Sequence, residues 1–272
     1  MKTPLATRVI SALVALGILV GLYYFFGALG LRFIVYFAVF VGAYELVQIL
    51  IPKGTSKFHQ GLFYLTAIAI FHMTANYPQD GLASFMLLIL MFLVVGVLTH
   101  SKFKELDALL TYQAKSILGF VYVGLLPSYA YRIIGLQSGM VWFGTLLLIV
   151  FAGDIAAFAS GVLFGKNKIN PRLSPKKTWE GSIGGLLGSL LLGYACSFAL
   201  PQVPLGSLLV TAICVGFVAQ IGDFFESLMK RVANAKDSGM LMPGHGGVLD
   251  RLDGVLFASP IIMIVASLFE SL

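Results

Sequence analysis

LASFMLLILMFLVVGVLT, residues 82–99, has no charged side chain in eighteen positions. At 1.5 Å rise per residue, a helix needs about 20 such residues to cross the ~30 Å hydrocarbon core of a bilayer. Comparable runs recur along the chain, giving nine candidate spans: 8–29, 31–50, 61–76, 82–99, 114–133, 139–164, 181–200, 205–228 and 254–271. A membrane barrel would instead show alternating segments of about 10 residues. The expected fold is an all-α polytopic membrane protein with about nine transmembrane helices, formed by residues 1–272 as a single integral membrane domain.

Composition agrees. The chain has 272 residues, of which 58% are apolar and only 11% charged, with mean hydropathy +0.93. An ordinary soluble domain is about 25% charged. So little charge cannot cover a water-facing surface, which excludes a soluble enzyme, a nucleic-acid-binding module and a disordered chain. No nucleic-acid partner is expected. Cys196 and Cys214 both lie inside apolar runs, so neither a disulfide framework nor a zinc site of the usual kind is expected. Lys2 and Arg8 precede a run too long for a cleaved signal, so the first span is read as retained.

The net charge of +6 tests the topology. Numbering the connecting segments alternately, one set holds Lys2, Arg8, Lys53, Lys57, Lys102, Lys104, Lys115, Lys166, Lys168, Arg172, Lys176, Lys177, Lys230, Arg231, Lys236 and Arg251. The other holds only Arg32 and Arg132. This sixteen-to-two split follows the positive-inside rule and places the N-terminus in the cytoplasm and the C-terminus outside. Two cytoplasmic loops stand out, 165–180 and 229–253.

The densest chemistry lies in 221–253, IGDFFESLMKRVANAKDSGMLMPGHGGVLDRLD. Asp223, Glu226 and Ser227 stand at i, i+3 and i+4, on one helix face. Lys230, Arg231, Lys236 and Asp237 follow. Pro243-Gly244-His245-Gly246-Gly247 must turn sharply, and its glycines free the backbone to approach a ligand. Asp250, Arg251 and Asp253 then open the last span. Carboxylates at a membrane boundary are costly and need partners. Oxygen ligands suit magnesium, which takes one or two carboxylates plus substrate phosphates. Lys and Arg suit a polyphosphate. The combination fits metal-assisted phosphoryl or nucleotidyl transfer.

An accessory polar segment, 154–181, contains Asp154 in mid-span and Ser174-Pro175-Lys176-Lys177-Thr178, which presents hydroxyls and ammonium groups suited to phosphate. Gly161 to Lys166 is one residue short of a phosphate loop and follows a helix rather than a strand, so that reading is rejected. Glu45, beside Tyr44 and Gln48 in the second span, is read as a partner for a neighbouring helix rather than as part of an active-site cavity. His59, His72 and His100 lack ligand spacing and are read as interfacial. The stripes Gly17-x3-Gly21, Gly181-x3-Gly185 and Gly184-x3-Gly188 mark close helix packing and leave room for a homodimer.

The stretch Ser227, Lys230, Arg231, Lys236, Asp237, Gly239, Pro243, His245, Gly246, Gly247, Asp250, Arg251 and Asp253 resembles the signature of the phosphatidate cytidylyltransferase (CDP-diacylglycerol synthase) family, and SPKKTWEG at 174–181 resembles it too. The resemblance is dense over about 100 C-terminal residues. Met242 stands where the family usually has Leu, Ile or Phe. Phe158 replaces a Tyr found in many members, so it is given no catalytic role. The resemblance implies a membrane-embedded enzyme that converts CTP and phosphatidic acid to CDP-diacylglycerol and pyrophosphate in phospholipid biosynthesis.

In the mechanism expected, Asp223 and Asp250, with Asp253 and Ser227, hold Mg2+, and their oxygens leave room for a second cation. Lys230, Arg231, Lys236 and Arg251 bind phosphates, and Asp237 belongs to the same catalytic set. His245 is a phosphate donor or a turn element. Ser174, Lys176, Lys177 and Thr178, with the backbone of Gly246 and Gly247, bind substrate. The short N-terminus points to a bacterial plasma (inner) membrane, with the active site facing the cytoplasm. The alternatives are a secondary transporter for an anion and a related enzyme using another lipid phosphate.

Overall fold

The computed structural model describes residues 5–241 and 246–270. Helices follow one another almost without interruption: α1 (Leu5–Phe26), α2 (Ala28–Leu50), α3 (Lys57–Asn76), α4 (Gly81–Leu98), α5 (Leu106–Gly119), a π-helical stretch Phe120–Leu125, α6 (Leu126–Ile134), α7 (Gly139–Leu163), α8 (Trp179–Cys196), α9 (Leu205–Val232) and α10 (Leu249–Glu270). Each segment expected to span is helical over most of its described residues. Among the described residues, six runs are long and apolar enough to cross a membrane: 28–50, 81–98, 106–134, 139–163, 205–232 and 249–270. The span expected at 114–133 is the second half of a longer run, α5 through α6.

The all-α expectation needs one correction. Between α7 and α8 the chain forms a two-stranded antiparallel hairpin, β1 (Lys168–Asn170) and β2 (Ser174–Thr178), pairing Lys168 with Thr178 and Asn170 with Ser174. The turn is set by Asn170-Pro171, whose Asn170 Oδ1 accepts from Leu173 N at 3.1 Å. Hydropathy alone reads this charged stretch as loop.

The chain divides into two compact units: Met1–Arg132 with Ala233–Arg251, and Ile133–Val232 with Leu252–Leu272. In the first unit the core is aromatic. Phe63 stacks on Phe120 at 5.2 Å, and Phe92 meets Phe120 edge-on at 4.8 Å. Gly119 lies beneath them, where a Cβ would come within 2.8 Å of the Phe63 ring.

In the second unit α7 and α8 pack through small residues. A Cβ on Gly184 would strike Ser160, and one on Gly188 would strike Ala156. Gly185 lies against Ala157 and Gly153, and Ser189 Oγ donates to Ile149 O at 3.1 Å. The α8 glycine stripes are thus consumed inside the chain. Glu270, at the end of α10, accepts from Gln137 N (2.9 Å) and Ser138 N (2.8 Å) at the start of α7, where a helix favours negative charge. Pro260 sits inside α10 and has no N–H for Leu256 O; Ser259 Oγ donates to that carbonyl at 3.0 Å instead.

Many large apolar side chains point outward, among them Leu82, Leu98, Ile155, Phe158 and Leu191. Patches of this extent would not stay dispersed in water. In a bilayer they face lipid at no cost.

Candidate active site

In the second unit three carboxylates gather where α9 and α10 meet. Asp223 and Glu226 lie near the C-terminal end of α9, and Asp253 lies in the first turns of α10. Glycine brings the helices this close. A Cβ on Gly222 would stand 2.5 Å from Asp253 O and 3.1 Å from Phe257 Cβ, and one on Gly254 would stand 3.2 Å from Ala219 Cβ. Asp253 is therefore held beside Glu226 and within electrostatic reach of Asp223.

Each carboxylate has company. Glu226 is fully buried, with Lys230 Nζ at 3.2 Å one turn on. Asp253, 9% exposed, accepts from Gly254 N at 2.7 Å. Asp223 is more open and pairs with Lys177 Nζ at 2.6 Å, while the same ammonium lies 4.0 Å from the centre of the Phe224 ring. Ser227 is half-buried on the same stretch of α9.

The hairpin delivers Lys177. Thr178 caps α8, its hydroxyl accepting from Gly181 N at 3.1 Å, and it is buried against Gly165 and Gly181. Its hydroxyl is committed to the fold. Asn167 ties the other side of the hairpin to Glu180 through its backbone N–H (3.2 Å) and its Nδ2 (2.7 Å). Hydrogen bonds from the Glu180 backbone, then from Lys166 and Asn167, hold the Glu180 carboxyl below the usual glutamate range. Ser174 opens β2, and Lys176 is exposed on it. Arg231 Nε donates to Leu173 O at 3.3 Å. With Asn170, Arg172, Leu173, Leu228 and Val232, Arg231 lines an open cavity of about 500 Å³.

In the first unit the end of the signature forms a second knot. Asp250 Oδ2 accepts from Ser238 N (2.8 Å), Ser238 Oγ (3.1 Å) and Gly247 N (2.8 Å). Gly246 has φ +86°, a left-handed backbone suited to glycine, and a Cβ there would overlap Asp250 Oδ2. A Cβ on Gly247 would overlap Ser238 Oγ and Glu45. Both glycines thus lie against the protein's own carboxylates, Asp250 and Glu45. Asp237 and Lys236 are exposed just before Ser238, and Arg251 is exposed on the first turn of α10. His245 lies outside the described residues, as do Met242, Pro243 and Gly244.

Two residues outside the expected set hold this region together. Glu45 on α2 accepts from Ser238 Oγ and from the backbone of Val248 and Leu249. The neighbouring helix expected for Glu45 is α10, and Glu45 also holds the loop ahead of that helix. Ser238 carries no signal in the sequence, because it is not among the residues that carry the resemblance. Asp154 is exposed on α7.

Among the described residues no three His, Cys, Asp or Glu side chains form a ready-made metal cage. Magnesium does not need one, because it takes one or two carboxylates and completes its shell with phosphates and water. Asp223 and Asp253 fit that requirement. They are hard oxygen donors, near one another, with ammonium groups beside them.

Lysine-bearing hairpin, adjoining carboxylates and long apolar helices together suit transfer between a soluble polyphosphate and a lipid phosphate. Comparison with known proteins then decides the family: the profile of the Cytidylyltransferase family matches residues 6–269. The chain belongs to that family. It is 31% identical over 274 residues to a phosphatidate cytidylyltransferase of Staphylococcus saprophyticus, covering 97% of this chain and 98% of the relative. It is 30% identical over 276 residues to the Bacillus subtilis phosphatidate cytidylyltransferase, covering 99% of each. It is 33% identical over 300 residues to that of Synechocystis sp., covering 94% of each. A cytidylyltransferase assignment leaves the anion-transporter alternative without support.

Proposed function

We propose that this cytidylyltransferase works through the carboxylate group of Asp223, Glu226 and Asp253 together with Lys177 and Lys230. It converts CTP and phosphatidic acid to CDP-diacylglycerol and pyrophosphate in phospholipid biosynthesis. The observation that carries the role of these residues is the burial of Glu226 and Asp253 beside Asp223 at a glycine-made helix contact. Buried carboxylates are costly, and an arrangement that crowds them needs cations to offset it.

A phosphate oxygen of phosphatidic acid attacks the α-phosphorus of CTP. The new bond joins the two phosphates, and the bond from the α-phosphorus to the bridging oxygen breaks to release pyrophosphate. The lipid phosphate is already anionic near neutral pH, so it needs no strong base. Magnesium, held by Asp223 and Asp253, would neutralise triphosphate charge. Lys177 balances Asp223 in its absence and is placed to turn to a phosphate instead. Lys230 balances Glu226, and Arg231 with Arg172 offers guanidinium groups at the cavity mouth. Asp250 is a further carboxylate of the signature suited to magnesium, fixed by its three hydrogen bonds. His245 is assigned to phosphate binding.

The enzyme would sit in a bacterial plasma membrane with these groups on the cytoplasmic side, where the positive-inside bias puts the hairpin and the signature. A homodimer would draw on α1, where a Cβ at Gly17 or Gly21 meets nothing within 4 Å. The test is turnover by Asp253→Asn and Asp223→Asn in detergent with phosphatidic acid and CTP. Each should lose activity while remaining folded. Wild-type turnover from both would remove this carboxylate group from the reaction.

A further inference from the structure

We propose that Glu45 is a positioning residue for this reaction: from α2 it fixes the segment that carries Asp250. Glu45 is 3% exposed, yet it sits in a helix otherwise suited to lipid. A buried carboxylate needs hydrogen-bond donors, and among the described residues these come from the signature. Oε1 accepts from Val248 N at 2.9 Å, and Oε2 accepts from Leu249 N at 3.0 Å and from Ser238 Oγ at 2.9 Å. Val248 directly precedes α10 and Leu249 opens it, so these N–H groups have no partner within the helix, and a negative charge there also suits the helix dipole.

The fit around the carboxylate is tight. A Cβ on Gly239 or Gly247 would overlap it, and one turn earlier on α2 a Cβ on Gly42 would stand 2.9 Å from Leu249 Cδ2. Ser238 links Glu45 to the chemistry. Its hydroxyl lies between Glu45 Oε2 and Asp250 Oδ2, and its backbone N–H donates to Asp250 Oδ2. One anchor thus sets both the start of α10 and the loop that grips Asp250. Glu45 touches no reacting group, so its effect passes through Ser238 and the α10 N-terminus. The inference rests on the proposed role of Asp250.

Glu45→Gln keeps the volume but sets an amide NH2 against donors. Removing an outer-shell partner of a metal ligand typically costs about 10- to 100-fold in activity or metal affinity. In Glu45→Gln, kcat should fall by that factor and half-saturating magnesium should rise. A merely destabilised enzyme would lose amplitude in proportion to its folded fraction, with magnesium dependence unchanged. A second readout needs no turnover: hydrogen exchange of the Ser238, Val248 and Leu249 amides in metal-free protein should accelerate at least about 10-fold while the α7–α8 core is unchanged.

Ser238→Ala covers the case in which Glu45→Gln fails to fold. It leaves both backbone bonds of Glu45 in place and should shift magnesium dependence in the same direction. Wild-type magnesium dependence in both variants, or unchanged exchange at these amides, overturns the inference. Wild-type protein that makes no CDP-diacylglycerol would instead overturn the functional reading, and the exchange result would still decide whether Glu45 holds the segment.

Discussion

Gly222→Ala tests whether the glycine contact between α9 and α10 sets the carboxylate geometry. The new methyl would begin 2.5 Å from Asp253 O and 3.1 Å from Asp253 C, both backbone atoms. Ordinary contact begins at 3.4 Å, so the helices must part by about 3.4 − 2.5 = 0.9 Å. Overpacking of this kind costs about 1–3 kcal/mol. Alanine recovers about 1 kcal/mol of that through its better helix propensity. The net loss of stability is therefore about 0–2 kcal/mol, small enough for the protein to remain folded.

The displacement falls where it matters, because Asp223 follows the glycine directly and Asp253 is the residue it touches. Misplacing catalytic groups by about 1 Å can cost about 100-fold in rate. Turnover of phosphatidic acid and CTP in detergent, with thermal unfolding measured alongside, should show a large fall in kcat for a modest fall in melting temperature. Gly144→Ala is the control: a Cβ there meets nothing within 4 Å, so activity should be unchanged. Wild-type kcat from Gly222→Ala would refute the claim that this contact places the carboxylates.

Asp250→Asn can keep an oxygen toward Ser238 and Gly247, so it should fold, yet lose at least about 100-fold in kcat through the missing charge; turnover near wild type would take Asp250 out of the reaction. Lys177→Ala breaks a partly exposed ion pair, which changes stability by less than about 1 kcal/mol, but it should raise KM for a phosphate substrate; unchanged KM for both substrates would leave Lys177 with only its bond to Asp223. His59, in the first turn of α3, bridges Ser56 Oγ (2.7 Å) and Thr99 Oγ1 (2.9 Å). Burial, then nearby Lys102, pushes its pKa below the histidine norm. The unfolded chain then takes up the proton more readily, so His59 contributes its full stability above about pH 6.5 and loses it as pH falls through the lower folded value. Melting temperature should decline as pH falls below about 6.5, and the decline should shrink in His59→Gln; identical profiles would contradict this.

The helical segments were legible because an apolar run of 18 or more residues has few other fates. The face shared by Asp223 and Glu226 was legible from helical spacing alone. The hairpin at 168–178 was not, because its strands are short and charged and carry no alternation of apolar and polar residues. The partners of the buried carboxylates were also hidden. Glu45 meets Ser238 across 193 positions of sequence, and no local pattern reports such a contact. The glycines of the signature illustrate the same limit: their spacing announced a close approach, but only the fold shows that Gly239, Gly246 and Gly247 approach Glu45 and Asp250.

The most direct measurement of the central claim uses purified protein in micelles with phosphatidic acid and CTP labelled either at the α- or the γ-phosphate, with magnesium and with a chelator. Attack at the α-phosphorus predicts that α-label enters the lipid, γ-label leaves CTP as aqueous pyrophosphate, and the chelator stops both. Entry of γ-label into the lipid, or no lipid label from folded protein, would contradict cytidylyl transfer to phosphatidic acid.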